Sequence, residues 1–88
     1  MKINSNFVLR SIAGNWVALP IGEAVVDFRG MLTLNESGLI IWRKLEGGAS
    51  REELIDTLLA EYDVSRELAE VDVDAFIKRL TEAGCIIA

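Results

Sequence analysis

Four short apolar segments open the chain, and at Asn35 the spacing of apolar positions changes from two to about 3.6 residues. The first pair, "FVLRSI" (Phe7–Ile12) and "WVALP" (Trp16–Pro20), is separated by Ala13-Gly14-Asn15, which predicts a hairpin with a turn of about three residues. Pro20 has no N–H to give to a ladder, so it is expected to end its strand or lie on an open edge. The second pair, "AVVDF" (Ala24–Phe28) and "MLTL" (Met31–Leu34), is joined by Arg29-Gly30, where Gly30 can take the positive φ of a tight hairpin. Two paired strands are the preferred reading here, over one bent strand.

Beyond Asn35 the pattern is helical. Asn35 suits an N-cap, because its side chain can accept a bond from a free amide of the first turn. Leu39, Trp42 and Leu45 share one face, with Ile41 beside them, and Gly47-Gly48 offers a low-cost left-handed stop. A second helix starts at Ser50-Arg51-Glu52-Glu53, which matches a capping box, and carries the stripe Leu54, Ile55, Leu58, Leu59 and Tyr62. Ser65 is expected to cap a third helix that runs to about Ala83 and ends at Gly84. On it, Ala69, Val73, Phe76, Ile77 and Leu80 share a face, and Asp74 and Lys78 form a favourable i,i+4 pair on the solvent side. "CIIA" closes the chain, either extended against the sheet or packed on the helices. Strands followed by three helices give an α+β layer, winged helix-turn-helix-like, with three to four antiparallel strands.

Length confines this pattern to one domain over residues 1–88. A chain of this size buries roughly 60–65% of its unfolded surface, so the core is adequate and not generous. With 51% hydrophobic residues, the apolar excess must fill a tight core or leave an apolar groove for a partner. No run reaches the roughly 18 apolar residues of a membrane span, and "MKINSNFVLR" lacks the apolar centre of a signal peptide. A cytoplasmic location is the expectation.

Charge and chemistry then remove several function classes. The chain has no His, which excludes His-dependent triads and His metal sites, and its single Cys85 excludes an internal disulfide framework and multi-cysteine metal motifs. Cys85 reads as a small apolar residue. Asp72 and Asp74, two apart on a helix, point away from each other and do not converge on a substrate. The glycines lack the spacing of a phosphate-binding loop. An enzyme is not expected. A winged helix that binds DNA would set helix three in the major groove, yet Ser65–Ala83 carries three basic against five acidic residues and the chain has net charge −5. A nucleic-acid partner is therefore disfavoured. Trp42 lies in the apolar stripe of helix one and is read as core; Trp16 also leans to the core.

One feature survives. A small sheet has edges, and an edge offers unpaired N–H and C=O groups to an extended peptide. Ala24, Val25, Val26, Asp27 and Phe28 make an apolar, β-branched segment guarded by a single charge. It reads equally as an inner strand or as such an edge.

"TLNESGLIIW", "LEGGASREELIDTLLAEYDV" and "DVDAFIKRLTEAGCI" together resemble the PqqD-like family, named for a coenzyme PQQ biosynthesis protein. The resemblance rests on Leu34-Asn35, Trp42, Leu45, Gly47, Tyr62-Asp63, Asp72-Val73, Phe76, Leu80 and Gly84, and runs from about Phe7 to Ile87. It implies a non-catalytic module, needing no cofactor, that binds the leader of a ribosomally made precursor peptide as an added strand. The leader would lie between the strand before the helices and helix three, and be presented to a modifying enzyme such as a radical S-adenosylmethionine maturase. On that basis the site residues are Ala24, Val25, Val26, Asp27 and Phe28, faced by Val73, Phe76, Ile77 and Leu80. Met31–Leu34 is the other candidate for the binding strand. The resemblance does not single out the PQQ pathway among peptide modifications. A homodimer through the same open edge is a further expectation, and a winged-helix DNA-binding regulator is the alternative function.

Overall fold

The computed structural model describes residues 1–22 and 32–87. Five strands and three helices follow in the order β1 (Lys2–Ile3), β2 (Phe7–Ile12), β3 (Asn15–Pro20), β4 (Leu32–Leu34), α1 (Glu36–Glu46), α2 (Arg51–Glu61), α3 (Arg66–Glu82) and β5 (Ile86–Ile87). The anticipated α+β order of strands then three helices is present.

The main sheet is antiparallel in the order β2-β3-β4. Its first hairpin is tighter than the sequence suggested. Ile12 pairs with Asn15, which leaves a two-residue turn, and both Ala13 (φ 52°) and Gly14 (φ 82°) are left-handed. Two left-handed residues give the turn whose twist matches the flanking strands, so Asn15 joins the ladder in place of lengthening the loop. β3 ends at Pro20, as a residue without an N–H should. Ala24–Phe28 and Met31 lie outside the described residues, and the rest of the fourth expected segment is β4, with Leu32 and Leu34 buried and Thr33 exposed.

Each helix is started by the side chain its sequence offered. Asn35 Oδ1 accepts from the Gly38 N–H at 2.8 Å, Ser65 Oγ accepts from the Leu68 N–H at 3.1 Å, and Ser50 and Glu53 complete both bonds of the capping box. The left-handed stop after α1 is taken by Gly48 (φ 85°) alone; Gly47 stays right-handed. At the end of α3, Gly84 is left-handed and the Cys85 N–H returns to the Leu80 carbonyl at 2.9 Å, a closure that satisfies an otherwise orphaned carbonyl.

The core gathers between the sheet and the helices: Phe7, Ala18, Leu32 and Leu34 meet Ile41, Trp42, Leu45, Leu54, Ile55, Leu58, Ala69, Val73, Leu80 and Cys85. Trp42 is wholly buried, as its place in the α1 stripe implied, and its Nε1–H has no hydrogen-bond partner. Trp16 is only half-buried; the Arg43 guanidinium covers its ring at 5.0 Å from the centroid, a cation–π cover in place of core packing. Burial pushes the Cys85 thiol up to about 11, which fits its reading as a small apolar residue.

Two contacts differ from expectation. Asp74 pairs across helices with Arg51, Nε to Oδ1 at 2.7 Å and Nη2 to Oδ2 at 2.9 Å, and not with Lys78. A planar guanidinium matches both carboxylate oxygens, which an ammonium one turn away does not. The C-terminal tail pairs with a strand that the alternation did not reveal: Ile86–Ile87 runs antiparallel to Lys2–Ile3, as a sheet separate from the main one. Two residues are too few to show a period.

Candidate functional site

β4 is an edge. It pairs with β3 on one side, through Trp16 with Leu34, Val17 with Thr33 and Ala18 with Leu32, and no other described strand pairs with it. In an antiparallel ladder alternate residues turn their backbone groups toward the partner. The Thr33 carbonyl accepts from Arg79 Nη2 of α3 at 3.1 Å, so it points away from β3, and the Thr33 N–H shares that direction. One residue of main chain thus faces outward, toward Arg79, which lines a groove.

The groove has a volume of about 260 Å³ and lies between the N-terminal half of α1, with its cap Asn35 just beyond β4, and α3. Ile41 and Phe76 supply apolar surface, while Asp72 and Arg79 sit two helical turns apart on the α3 wall. Spacings of three, four and seven put Asp72, Ala75, Phe76 and Arg79 on one face of that helix. The opposite wall is brought close by Gly38. A Cβ there would stand 3.1 Å from Phe76 Cε1 and 3.0 Å from Asn35 Oδ1, so a side chain would push on the ring and on the helix cap together. A second hollow of about 300 Å³ adjoins the first, sharing Asn35, Ser37 and Asp72, and extends to Leu58, Tyr62 and Val64. The Tyr62 hydroxyl is buried without a hydrogen-bond partner. Desolvation raises it above the usual tyrosine range, and the Glu36 carboxylate adds to the rise.

The sequence-based site residues fall in three places. Ala24, Val25, Val26, Asp27 and Phe28 lie outside the described residues. Phe76 lines the groove and Ile77 is partly buried against the core. Val73 and Leu80 have no exposed surface, so they back the α3 wall from the core side. Asp72, Ala75, Arg79 and Gly38 escaped attention as groove residues. The signals were there: a glycine inside a helix marks close approach, and the polar stripe next to the apolar one shares Phe76 with it.

No group of three metal-ligating side chains occurs among the described residues, and none of their helices is long and apolar enough to cross a membrane. The architecture is that of a small α+β domain in which β4, the edge among the described strands, lies beside the last helix. Residues 16–86, from β3 to β5, match the family described as coenzyme PQQ synthesis protein D (PqqD), and the chain belongs to that family. Two solved structures share the fold. "TbiB1 in Complex with the TbiA(beta) Leader Peptide" is 30% identical, with a TM-score of 0.77 over 97% of this chain and 93% of that one. "Lasso peptide synthetase B1 complexed with the leader peptide" is 24% identical, also with a TM-score of 0.77, over 99% of this chain and 96% of that one. No curated protein sequence gives a significant match.

Proposed function

We propose that this chain is a non-catalytic recognition module for the leader segment of a ribosomally made precursor peptide, which it holds as an added strand and presents to a modifying enzyme. The observation that carries the reading is the outward-facing main chain of Thr33 beside a groove walled by Phe76. An extended peptide needs main-chain partners for affinity and side-chain pockets at alternate positions for selectivity, and the two lie together here. Family membership and the leader-bound relative at 30% identity support it. A radical S-adenosylmethionine maturase is the proposed kind of enzyme partner, within peptide modification broadly and not the PQQ pathway in particular. Without a peptide, the same edge pairs two copies, so sedimentation at rising concentration should show a monomer–dimer equilibrium.

The test uses synthetic leaders from short reading frames near the gene, titrated by fluorescence anisotropy. Thr33→Pro removes the outward N–H of β4, and Val26→Pro removes a backbone donor from the other candidate segment, Ala24–Phe28. Loss of one hydrogen bond, about 0.5–1.5 kcal/mol, weakens binding roughly two- to twelvefold at the true edge. Circular dichroism checks that each variant folds, as edge prolines allow. Unchanged affinity in both variants would remove strand addition as the mode of capture.

A further inference from the structure

Arg79 differs from the other two arginines of α2 and α3. Arg51 is paired with Asp74, and Arg66 of α3 is surrounded by Glu52, Asp56 and Glu70. Arg79 makes no ion pair among the described residues; it donates to the neutral carbonyl of Thr33. That carbonyl is one of the two main-chain groups an added strand would use, because a residue placed opposite Thr33 would give its N–H to it and take the Thr33 N–H in return. Arg79 therefore holds the place of an incoming peptide N–H.

We infer that Arg79 is a specificity-determining residue, which exchanges the Thr33 carbonyl for a carboxylate of the bound peptide. The inference rests on the leader-binding reading and narrows it to a class of sequence. Once released, the guanidinium fork stands in a groove that is losing water, and a carboxylate is the partner that satisfies two of its N–H groups at once. Asp72 does not fill that role. It lies seven residues away on the same helix, about 10 Å along the axis.

The geometry also fixes where the acid falls. Side chains directly opposed in a ladder share a face, and Thr33 is exposed on the face away from the helices, whereas Leu32 and Leu34 are buried toward them. The peptide residue opposite Thr33 thus turns outward, and its two neighbours turn toward α3. Those neighbours are two positions apart on one face, about 7 Å, and meet Arg79 and Phe76, which are three residues apart on the helix. The recognised sequence is an acidic residue two positions from a large apolar one.

A displayed library of random 12-residue peptides, selected in parallel on the wild-type protein and on Arg79→Gln, tests this. Arg79 is exposed, so the substitution should leave the circular dichroism spectrum and the unfolding midpoint unchanged. Wild type should enrich Asp or Glu two positions from an aromatic or branched residue, and Arg79→Gln should still enrich the apolar position while losing the acid. Converting the acid of a selected peptide to its amide should weaken wild-type binding about tenfold, with little effect on Arg79→Gln. Arg79→Lys, which keeps the charge without the fork, should recover part of the loss. Apolar enrichment with no acid, or the same acid preference in both proteins, would overturn the role of Arg79 while leaving peptide capture standing. No enrichment on wild type over bare support would overturn capture itself, and the inference with it.

Discussion

The two long flanks of α3 come from one run of sequence and are finished differently. Toward the core and α2, Ala69, Val73 and Leu80 are wholly buried, and the seam outside them is crossed by the bidentate Arg51–Asp74 pair and by the pairing of Arg66 with Glu52 and Asp56. Toward β4, a half-buried Phe76 rests over Gly38 and a single hydrogen bond from Arg79 reaches the sheet, leaving an open groove. A sealed flank fixes the helix in place. The loosely finished flank can then give up its contacts to a ligand without loosening the helix.

If that division is right, the two flanks respond to substitution in opposite ways. Leu80→Ala should have the largest effect on stability, costing about 2–5 kcal/mol as a buried leucine does, read by urea denaturation. Its folded fraction should bind a selected peptide within about twofold of wild type; a greater loss would mean the flanks act as one unit. Phe76→Ala removes half-buried surface and should cost less, about 1–3 kcal/mol, while weakening the peptide more than tenfold in the same titration.

Gly38→Ala sharpens the contrast further. Alanine favours a helix over glycine by about 1 kcal/mol, and the contacts at 3.0 and 3.1 Å oppose that gain, so the unfolding midpoint should move little. Binding should nonetheless fall several-fold, because the Phe76 ring must shift within the groove. An unchanged affinity would show that the ring position is not what the ligand reads.

The smallest effect is electrostatic and belongs to the sealed flank. The Arg51 guanidinium holds the Asp74 carboxyl below the usual range, and the Ser50 amide and hydroxyl do the same for Glu53. A carboxyl depressed in the folded state adds stability above its unfolded value, near 4, and that contribution disappears as the pH falls through the depressed value. Denaturation midpoints should therefore be flat from about pH 7 to 5 and decline below about pH 4. Asp74→Asn should reduce the slope without altering peptide affinity at neutral pH. An equal slope in the variant would assign the acid sensitivity elsewhere.

Much of this was readable in the amino acids because it is local. Asn35, Ser50 and Ser65 begin their helices through bonds made within three residues, and the Ala69–Val73–Phe76–Ile77–Leu80 stripe follows from the helical period. The order of strands and helices, with the resemblance in spacing, was enough to reach the family. What escaped reading depends on approach between distant segments. Nothing in the sequence near Asp74 says that Arg51 lies closer than Lys78, nor near Arg79 that the Thr33 carbonyl is within reach. Ala13 shows a subtler limit: a left-handed alanine is unfavourable by about 1–2 kcal/mol in isolation, and the strand twist on both sides imposes it.

The pairing of β1 with β5 sets a timetable for folding. The contacts beside it join positions 80 apart, as where the Asn4 side chain donates to the Gly84 carbonyl, whereas α2 and α3 meet across a short turn. Closing the longer span costs more chain entropy for a few backbone bonds, so it is expected to follow assembly of the helices. Contacts made after the rate-limiting step act on the rate of unfolding and leave the rate of folding alone. Weakening Ile86–Ile87 should then shorten the lifetime of the native state while refolding proceeds at its usual pace.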